Sequence, residues 1–589
     1  GRQIYEPPEG HVDDVATIPL DDKATYKLYS SAKTVAVFQV ESSGMMDALK
    51  RMKPTCIEDI VALVALYRPG PMENIPVYCE VKNGQRERES VHPSIDHILE
   101  ETQGIIVYQE QVMQIAQVMA GYSLGGADLL RRAMGKKIAE EMAKERPKFE
   151  KGAMANGVDK KKASEVFDLL EKFANYGFNK SHAAAYAVVS YQTAWLKANH
   201  PVEFMAGVMN CDIHLTDKLA VYFEEVRKRL ELPWVPPCVN RSDATFKVVE
   251  GALVYALGAL KNVGVEAMKL ITEGRKGDGV GKPFATLFDL ARRVDLKRVG
   301  KRPLEMLARS GAFDQLDNNR RRVWQSLDGL VSYSAAIHEQ KASNQVSLFG
   351  EAGDDLPEPR IVPCDDWEAA ERLTEEFKAV GFYLSGHPLD DYMGPMKRKS
   401  ATGGVPFLTL DELTEKVSVK GAMNARLAGI VAGRQERKSA RGNRFAFAQL
   451  SDPTGAYEVT LFSDTLELAR DHLETGSKVV VMVEATMESD QLKLLGRSVV
   501  PIDTVVEDAG NMGLRIFVDD AGAIQAVADV LAGARSAARS AGKGPVQLCL
   551  MDPTLPGEVE VDLCAEYPVT PKIKGAIRSL TGVMEVEEI

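Results

Sequence analysis

A short polar loop stands directly before a long amphipathic helix in the sequence GFNKSHAAAYAVVSYQTAWLKANHP, residues 177–201. Lys180 and His182 fall at the mouth of this helix, together with Asn179 and Ser181. Backbone N–H groups at a helix N-terminus and the positive end of the helix dipole attract anions, and Lys180 adds a full charge. One helical face behind them carries Ala184, Ala187, Val188, Tyr191 and Trp195. The pattern predicts a phosphate site in the loop.

The same residues also fit an ordinary capped helix start. Ser181 or Asn179 would then be the N-cap, and His182 would lie on the surface. Taken alone, the motif favours this plainer interpretation, so further cations are needed to support a phosphate site.

A second basic cluster lies upstream, where four cations fall within seven residues: Arg131, Arg132, Lys136 and Lys137. A charge run is usually a solvated helix face. Here, however, Arg131 and Arg132 stand between apolar residues, so that their guanidinium groups can be fixed beside a core and offer forked donors to phosphate.

Arg68 is a further candidate, because Pro69 and Pro71 break the helix that precedes it and hold it at a rigid turn. It could equally contact a ligand or cap the helix end. The run VFQVES, residues 37–42, reads as strand-like and leads into a helix that ends before Pro54.

The elements that carry these residues belong to a chain of several domains. Its 589 residues are 45% hydrophobic and 26% charged, which predicts roughly three to five domains. The sequence has no apolar run of membrane-spanning length and no signal peptide, and it begins at Gly1, so we expect a fragment or a processed chain. Seven cysteines occur without a CxxC pair, which indicates neither a disulfide framework nor a zinc site and favours a reducing compartment.

The net charge of −12 argues against a uniformly basic nucleic-acid coat. Basic residues nevertheless outnumber acidic ones locally, between residues 128 and 162 and between residues 289 and 322. Binding to nucleic acid would therefore depend on local clusters.

Four segments of the sequence resemble the fingers region of the bacterial replicative DNA polymerase III alpha subunits, the C-family polymerases. They are VFQVES, LVALYRPGP, GIIVYQEQVMQIAQVMAGYSLGGADLLRRAMGKK and KFANYGFNKSHAAAYAVVSYQTAWLKANHPVEFMA. The resemblance implies that basic residues here contact the triphosphate of the incoming nucleotide. It places Arg68, Arg131, Arg132, Lys136, Lys180 and His182 in that pocket, with His182 crowding the sugar and excluding ribose. A triphosphate needs several fixed cations, which agrees with this assignment.

One departure from the family concerns the metal ligands. The family transfers nucleotides with palm aspartates that hold two Mg²⁺ ions, two of them as D-x-D in a strand. No strand predicted here presents such a pair, because Asp13-Asp14 and Asp21-Asp22 are adjacent residues in a polar connector. We therefore expect the palm to be absent, Mg²⁺ to serve only the whole enzyme, and the 589 residues alone to be inactive.

Helix-hairpin-helix sequence follows the fingers. Residues 257–263 and a helix over residues 265–273 predict one hairpin with Gly258 and Gly264, and LKRVGKRPLEMLARSGAFD predicts the return half with a turn at Gly300. Such hairpins offer N–H groups to a DNA phosphate, although they also serve as scaffold. The predicted DNA contacts are Gly258, Gly264, Lys297, Arg298, Gly300 and Lys301.

The segment QVSLF, residues 345–349, resembles the peptide with which this family binds the sliding clamp. Leu348 and Phe349 would enter an apolar pocket while Gln345 fixes the register. The alternative is a loop that tucks its own Leu-Phe into the parent domain.

After about residue 417 the period becomes alternating, and five strands with a helix between the third and fourth fit an OB-fold barrel. Phe445 and Phe447 suit stacking with single-stranded template or core packing equally. The basic first hairpin, with Arg437, Lys438 and Arg441, is the stronger candidate for DNA binding.

Together these features predict a multidomain α+β protein with mainly helical fingers, a helix-hairpin-helix clamp-binding domain, an OB-fold β-barrel and a small α/β C-terminal domain. The predicted boundaries are 1–30 for a connector from a missing palm, 31–235 for the fingers, 236–350 for the clamp-binding domain, 351–416 for a linker and helical segment, 417–505 for the OB-fold and 506–589 for the C-terminal domain.

By resemblance, the function is that of a DNA-directed DNA polymerase in the bacterial cytoplasm, associated with the nucleoid. The implied partners are primer-template DNA, deoxynucleoside triphosphates, the sliding clamp, the clamp-loader tau subunit at the C-terminal domain, and a proofreading exonuclease subunit. The rival interpretation is a non-catalytic scaffold that binds DNA and recruits the clamp. No membrane partner is expected.

Overall fold

The structure is a computed structural model that describes residues 15–136, 139–174, 177–276, 281–342, 356–401, 404–438, 444–488, 491–506, 513–519, 522–537, 543–551, 559–578, 580 and 582–589. The chain divides into two compact units, residues 1–208 with 225–232 and residues 209–224 with 233–589.

The first unit is helical. Its α-helices are α1 Lys23–Ser30, α2 Ser43–Met52, α3 Ile57–Leu66, α4 Ile75–Lys82, α5 Gln109–Ala120, α6 Leu124–Lys136, α7 Ala139–Ala155, α8 Lys160–Ala174, α9 Lys180–Asn199 and α10 Pro201–Cys211. The last of these helices extends past residue 208, where the first unit ends.

Helix α9 is the central support of one core of this unit and packs against α1 and α3. It begins after Asn179, whose Oδ1 accepts the N–H of His182 at 2.8 Å, as an N-cap does. Of the predicted apolar face, Ala187, Tyr191 and Trp195 are buried, whereas Ala184 and Val188 are only partly buried. The face is therefore rotated toward these residues: Ala183, Ala187, Ser190, Tyr191 and Ala194.

The far end of α9 holds a buried ion pair. Lys197 Nζ lies 2.7 Å from Glu225 Oε1 and donates to Val35 O at 2.7 Å. The two side chains are 0% and 1% exposed. Burial lowers the pKa of Lys197, and the Glu225 carboxylate opposes that shift. Glu225 opens a π-helical turn, Glu225–Arg229, so this turn is tied to α9.

The last part of the expected connector, residues 23–30, is helical. Residues 23–30 form α1, which begins at an Asp22 cap, and Tyr29 is fully buried against α9, with its hydroxyl 3.0 Å from Ser190 Oγ. The polar residues Asp21, Asp22 and Lys23 concealed this helix, because Asp22 is its N-cap and Lys23 begins its first turn. The prediction of a strand-like run at residues 37–42 is also wrong, because these residues form a turn, bends and irregular backbone.

Helices α5 to α8 form a second core with apolar side chains from Ile95 to Leu170. Gly152 lets α7 approach α5, because a Cβ there would lie 2.1 Å from Ala120 O. This core fixes the helix that carries Arg131 and Arg132.

The second unit contains thirteen α-helices within the described residues. They are α11 Thr216–Glu224, α12 Val265–Lys276, α13 Leu287–Arg293, α14 Leu296–Val299, α15 Lys301–Arg309, α16 Arg320–Ala342, α17 Ala369–Val380, α18 Asp390–Ala401, α19 Leu410–Lys420, α20 Ser463–Ala469, α21 Ile502–Val506, α22 Gly522–Ala537 and α23 Pro571–Arg578.

The strands of this unit form three groups. The first is β1 Trp234–Val235, β2 Lys247–Val249 and β3 Ala252–Val254, the second is β4 Ala422–Lys438, β5 Arg444–Asp452, β6 Gly455–Phe462, β7 Lys478–Glu488 and β8 Gln491–Pro501, and the third is β9 Leu514–Val518, β10 Lys543–Leu550, β11 Val559–Pro568 and β12 Val583–Glu588.

The two halves of the predicted helix-hairpin-helix segment differ in the structure. The return half is present, because α14 and α15 flank Gly300, whose φ of +93° favours glycine. The first half lacks its first helix, since residues 257–259 make only one 3₁₀ turn before α12.

The five strands β4 to β8 have α20 between the third and fourth, as the sequence predicted. Each strand pairs with two others in the order β4-β5-β6-β8-β7, and β4 pairs again with β7. The link between β6 and β8 is the single pair Thr460 with Leu495. Strand β4 begins at Ala422, after the predicted change of period at about residue 417, because Val417 still lies in α19 and is buried in the same core as these strands.

The last group of strands forms a four-stranded sheet in the order β11-β10-β9-β12, with β9 and β10 parallel. Helices α22 and α23 contribute to its core, where Val527, Leu531 and Ile577 are buried. The described C-terminal part is thus a small α/β arrangement.

Candidate functional site

The loop before α9 lies edge to edge with the segment before α5. Phe178 N–H donates to Val107 O at 3.1 Å, and Gln109 N–H donates to Phe178 O at 2.9 Å. The Gln109 side chain also donates to Gly177 O at 3.1 Å. These contacts place the residues around Phe178 at the mouth of both helices.

Phe178 brings two of the predicted site residues together. The Arg68 guanidinium lies 4.3 Å from the centre of the Phe178 ring, and the His182 ring packs edge-on against it at 5.3 Å. Arg68 Nε also donates to Ala65 O at 3.0 Å, so Arg68 caps its helix end and faces the loop at once. Burial lowers the pKa of Arg68.

Arg131 joins the same cluster through Gln109, because its Nη1 donates to Gln109 Oε1 at 3.1 Å. Its Nη2 lies 2.7 Å from Asp128 Oδ1, and Arg132 Nε lies 2.9 Å from the other oxygen of that carboxylate. Hydrogen bonding from Arg131 lowers the pKa of Asp128. The Arg132 side chain is 62% exposed, and the side chain of Lys136 lies outside the described residues.

Lys180 is paired with acidic residues. Its Nζ lies 2.6 Å from Glu101 Oε2, and its backbone N–H donates to Glu110 Oε2 at 3.0 Å. Glu110 Oε1 accepts from Asn179 Nδ2 at 2.9 Å. The N–H groups of residues 180 and 182 are therefore capped by Glu110 and Asn179, as in the ordinary helix start that the motif alone favoured. A phosphate would have to displace these carboxylates.

The sequence analysis did not identify three aromatic residues: Phe178, Tyr186 and Phe38. Phe178 and Tyr186 lie four residues before and after the predicted His182. The Phe38 ring packs 5.4 Å from the ring of Tyr186. The i, i+4 spacing could have suggested Phe178 and Tyr186. Phe38 could not be found this way, since only tertiary packing brings it to α9.

The predicted helix-hairpin-helix glycines have different environments. Gly258 is buried, its N–H donates to Ala244 O at 3.0 Å, and a Cβ there would lie 2.4 Å from that oxygen. The predicted phosphate contact by Gly258 is therefore wrong, because its N–H group serves the fold. Gly264 is exposed and open, and Gly300 forms the turn before α15.

The basic residues beside this turn are partly paired. Lys297 lies 3.1 Å from Glu339 and Lys301 lies 2.7 Å from Asp328. Within the described part of the chain, exposed Arg298 and Arg302 have no ion-pair or hydrogen-bond partner for their side chains. These two arginines are the cations most available to a phosphate here.

The predicted basic hairpin, formed by β4 and β5 of the five-stranded group β4 to β8, has a pair of aromatic side chains on its outer face. Ala446 and Ala448 face the core, whereas Phe445 and Phe447 alternate on the partly exposed face, 5.4 Å apart. The Arg437 guanidinium lies 5.5 Å from the Phe447 ring centre. Lys438 is exposed at the end of β4.

Four predicted contacts cannot be placed, because Arg441, Gln345, Leu348 and Phe349 lie outside the described residues. In the described part of the chain, no group of three or more His, Cys, Asp or Glu side chains is arranged to hold a metal ion. None of the described helices is both long and apolar enough to cross a membrane.

Comparison with known proteins supplies two family matches. Residues 3–157 match the bacterial DNA polymerase III alpha subunit finger domain, and residues 231–323 match a helix-hairpin-helix motif. The first match ends before Gly177, so the loop at α9 is not covered by it.

Curated relatives match nearly the whole chain. DNA polymerase III subunit alpha of Caulobacter vibrioides (strain NA1000 / CB15N) is 43% identical over 578 residues, which are 98% of this chain and 49% of the relative. The subunit alpha of Escherichia coli (strain K12) is 41% identical over 519 residues, 86% of this chain and 44% of the relative. The chain spans about half the length of these relatives.

Two solved structures match short parts of the chain. A mitochondrial single-stranded DNA binding protein of S. cerevisiae, Rim1, is 21% identical with a TM-score of 0.12 and covers 13% of this chain and 92% of its own. The second OB-fold domain of replication protein A from Methanococcus maripaludis is 19% identical with a TM-score of 0.12, covering 14% and 85%.

Proposed function

We propose that this chain, which belongs to the bacterial DNA polymerase III alpha subunit family, takes part in template-directed synthesis of DNA from deoxynucleoside triphosphates. The finger-domain match and the curated relatives confirm the family resemblance. In this reaction the primer 3′-oxygen bonds to the α-phosphorus of the incoming nucleotide while the bond to pyrophosphate breaks.

The chain's contribution is the binding of the incoming nucleotide. The observation that carries this proposal is the convergence of Arg68 and His182 on the Phe178 ring, with Arg131 on the adjacent Gln109. Fixed guanidinium groups are suited to a triphosphate, whose charge is spread over several oxygens. Arg132, Lys136 and Lys180 complete the proposed set, and His182 lies against the sugar.

Mg²⁺ is the cofactor that we propose for the whole enzyme. It would neutralise phosphate charge and activate the primer hydroxyl. The residues named above would orient the triphosphate around it, and none of them is assigned as a ligand.

DNA is proposed to bind at two places in the second unit. Exposed Arg298 and Arg302 flank the Gly300 turn, where Gly264, Lys297 and Lys301 are further candidates for phosphate contacts. The ring of β4 to β8 is proposed to be an OB-fold barrel, and Arg437 on Phe447, with Lys438 and Arg441, suits a single strand.

The remaining partners are proposals from the family. Gln345, Leu348 and Phe349 would dock in the sliding clamp, and residues 506–589 would bind the clamp-loader tau subunit. A proofreading exonuclease subunit and a cytoplasmic, nucleoid-associated location belong to the same proposal.

A second candidate function is a non-catalytic scaffold that binds DNA and recruits the clamp. The pairing of Lys180 with Glu101 and of the α9 terminus with Glu110 favours it, because carboxylates already occupy these donors. The two candidates differ in whether the chain binds a nucleotide at α9.

Equilibrium binding of a labelled deoxynucleoside triphosphate to the full chain, with primer-template present, tests the proposal. Arg131→Leu should weaken binding about 10-fold or more, since a charge-assisted hydrogen bond contributes about 1.5–3 kcal/mol. Arg86→Leu is the matched control, because Arg86 pairs with Glu89 elsewhere on the first unit and is 41% exposed. Unchanged affinity of the Arg131 variant, or no binding by the wild type, would favour the scaffold.

A further inference from the structure

We infer that four side chains, named here the ring row, form the surface that receives the sugar and base of the bound nucleotide. The ring row consists of Phe178, His182, Tyr186 and Phe38. This inference rests on the proposed function and adds two residues, Tyr186 and Phe38, as contacts for the planar base.

The ring row is continuous. The ring centres of Phe178 and His182 lie 5.3 Å apart, those of His182 and Tyr186 lie 4.3 Å apart, and those of Tyr186 and Phe38 lie 5.4 Å apart. These separations are ordinary for aromatic pairs in contact. A planar ligand that packs on one member therefore meets its neighbours as well.

The ring row is accessible to solvent, and the polar atoms of His182 and Tyr186 make no hydrogen bonds to the described residues. Phe38 is 38% exposed, His182 is exposed, and Phe178 and Tyr186 are half-buried. Among the residues that the structure describes, none hydrogen-bonds to the His182 ring nitrogens or to the Tyr186 hydroxyl. Two aromatic residues thus present both ring surface and free hydrogen-bonding atoms to an incoming ligand.

The row has a cationic end and an apolar end. Arg68 packs on Phe178 at 4.3 Å, and Arg131 is bonded to Gln109, which adjoins Phe178. The opposite end carries Phe38, and Val189, one turn beyond Tyr186, is 43% exposed. A nucleotide has the same polarity, with phosphates at one end and a base at the other. Phosphates toward Arg68 would place the sugar at His182 and the base on Tyr186 and Phe38.

Phe38 is held in place by its backbone. Its N–H donates to Thr193 Oγ1 of α9 at 3.1 Å, while its neighbour Val37 is fully buried. Ala36 and Gln39 adopt φ values of +62° and +68°, which non-glycine residues rarely do. This loop turns outward at Phe38 at a conformational cost, as segments that contact ligands often do.

Two ligands separate base binding from phosphate binding in the full chain. Deoxyadenosine triphosphate carries both parts, and tripolyphosphate carries only the phosphates. Tyr186→Leu and Phe38→Leu should each weaken binding of the nucleotide about 5- to 150-fold, the range for one base stacked on an aromatic residue. Their affinity for tripolyphosphate should equal that of the wild type.

Conservative variants guard against a folding defect. Tyr186→Phe and Phe38→Tyr keep the rings and should bind the nucleotide more tightly than the corresponding leucine variants, and thermal unfolding shows whether each variant is folded. Phe462→Leu, which removes a ring that is 56% exposed in the other unit, is the control and should change neither affinity.

The outcomes distinguish this inference from the proposed function. Wild-type nucleotide affinity in both leucine variants overturns the ring row and leaves nucleotide binding at the cations standing. Equal losses for the nucleotide and tripolyphosphate also overturn it, because the phosphate site would then have been disturbed. A wild-type chain that binds neither ligand overturns the proposed function and the ring row together.

Discussion

Lys180 Nζ lies 2.6 Å from the Glu101 carboxylate, so the cation that sequence reasoning assigned to a phosphate is paired within the chain. The two side chains are 40% and 36% exposed. At such exposure an ion pair contributes little, about 0.2–1 kcal/mol, and a triphosphate can replace the carboxylate at modest cost.

Removing the Glu101 charge should therefore strengthen triphosphate binding. Glu101→Gln frees Lys180, and we expect deoxyadenosine triphosphate to bind about 1.5- to 5-fold more tightly at low salt, with a smaller gain as salt is added. Equilibrium titration at two salt concentrations measures this. Glu100→Gln is the control, because Glu100 is 74% exposed and pairs only distantly with Arg88, at 3.8 Å. Weaker binding in the Glu101 variant would show that the carboxylate helps to form the site.

The buried pair at the far end of α9 should be costly to break. Lys197→Met leaves buried Glu225 with only Arg229, whose Nε lies 3.7 Å from Glu225 Oε2 and whose side chain is 51% exposed. We expect a loss of about 3–5 kcal/mol in the free energy of unfolding. Urea denaturation followed by the helical circular dichroism signal measures it.

The double variant Lys197→Met/Glu225→Leu should regain most of that loss, since two apolar side chains can fill the same volume. Lys148→Met is the control and should change stability little, because Lys148 is 57% exposed and 3.3 Å from Glu145. A Lys197 variant as stable as this control would mean that Arg229, 3.7 Å from Glu225, is enough to compensate the buried carboxylate.

The two glycines of the first predicted hairpin should respond differently to alanine. Gly258→Ala places a Cβ 2.4 Å from Ala244 O, and we expect a loss of about 1–3 kcal/mol in unfolding free energy. Gly264→Ala has no atom within 4 Å of the added Cβ, so stability should be unchanged within about 0.5 kcal/mol. Thermal unfolding compares the two, and equal stabilities would contradict the packing role of Gly258.

Asp22 should stabilise the first unit in a pH-dependent way. Burial opposes ionisation, but hydrogen bonds from Thr25 and Asn199 outweigh it and lower the pKa of Asp22 below its ordinary value of 3.8. A lowered carboxyl pKa gives stability that is present above the unfolded-state value and lost as pH falls through the folded-state value. Asp22→Ala should cost about 0.5–2 kcal/mol near pH 7.

The stability difference between Asp22→Ala and the wild type should shrink below pH 3.8. Denaturation at several pH values measures it. Asp21→Ala is the control, since Asp21 is exposed and does not cap the helix. A constant difference across this range would exclude ionisation as the origin.

Local patterns predicted the longest periodic elements. The apolar period from Ala184 to Trp195 predicted α9, and the alternation after about residue 417 predicted β4 to β8 with α20 in its place. The glycine turn at Gly300 was also correct, because a local φ requirement creates it.

Contacts between distant segments could not be predicted in the same way. The carboxylates of Glu101 and Glu110 reach the α9 terminus only because the segment before α5 lies beside Phe178. The burial of Gly258 depends on the carbonyl of Ala244, and no local signal distinguishes it from exposed Gly264. Charge and glycine spacing therefore identified candidate residues but not which of them were already paired.

Helix α9 carries His182 and Tyr186 near its start, receives the backbone of Phe38 through Thr193, and is locked at its far end by Lys197. The loop that carries Phe38 and helix α9 are consequently expected to move together as one rigid element. Any rotation of this part on ligand binding would carry sugar and base contacts together, which keeps their mutual spacing constant while their distance from other groups changes.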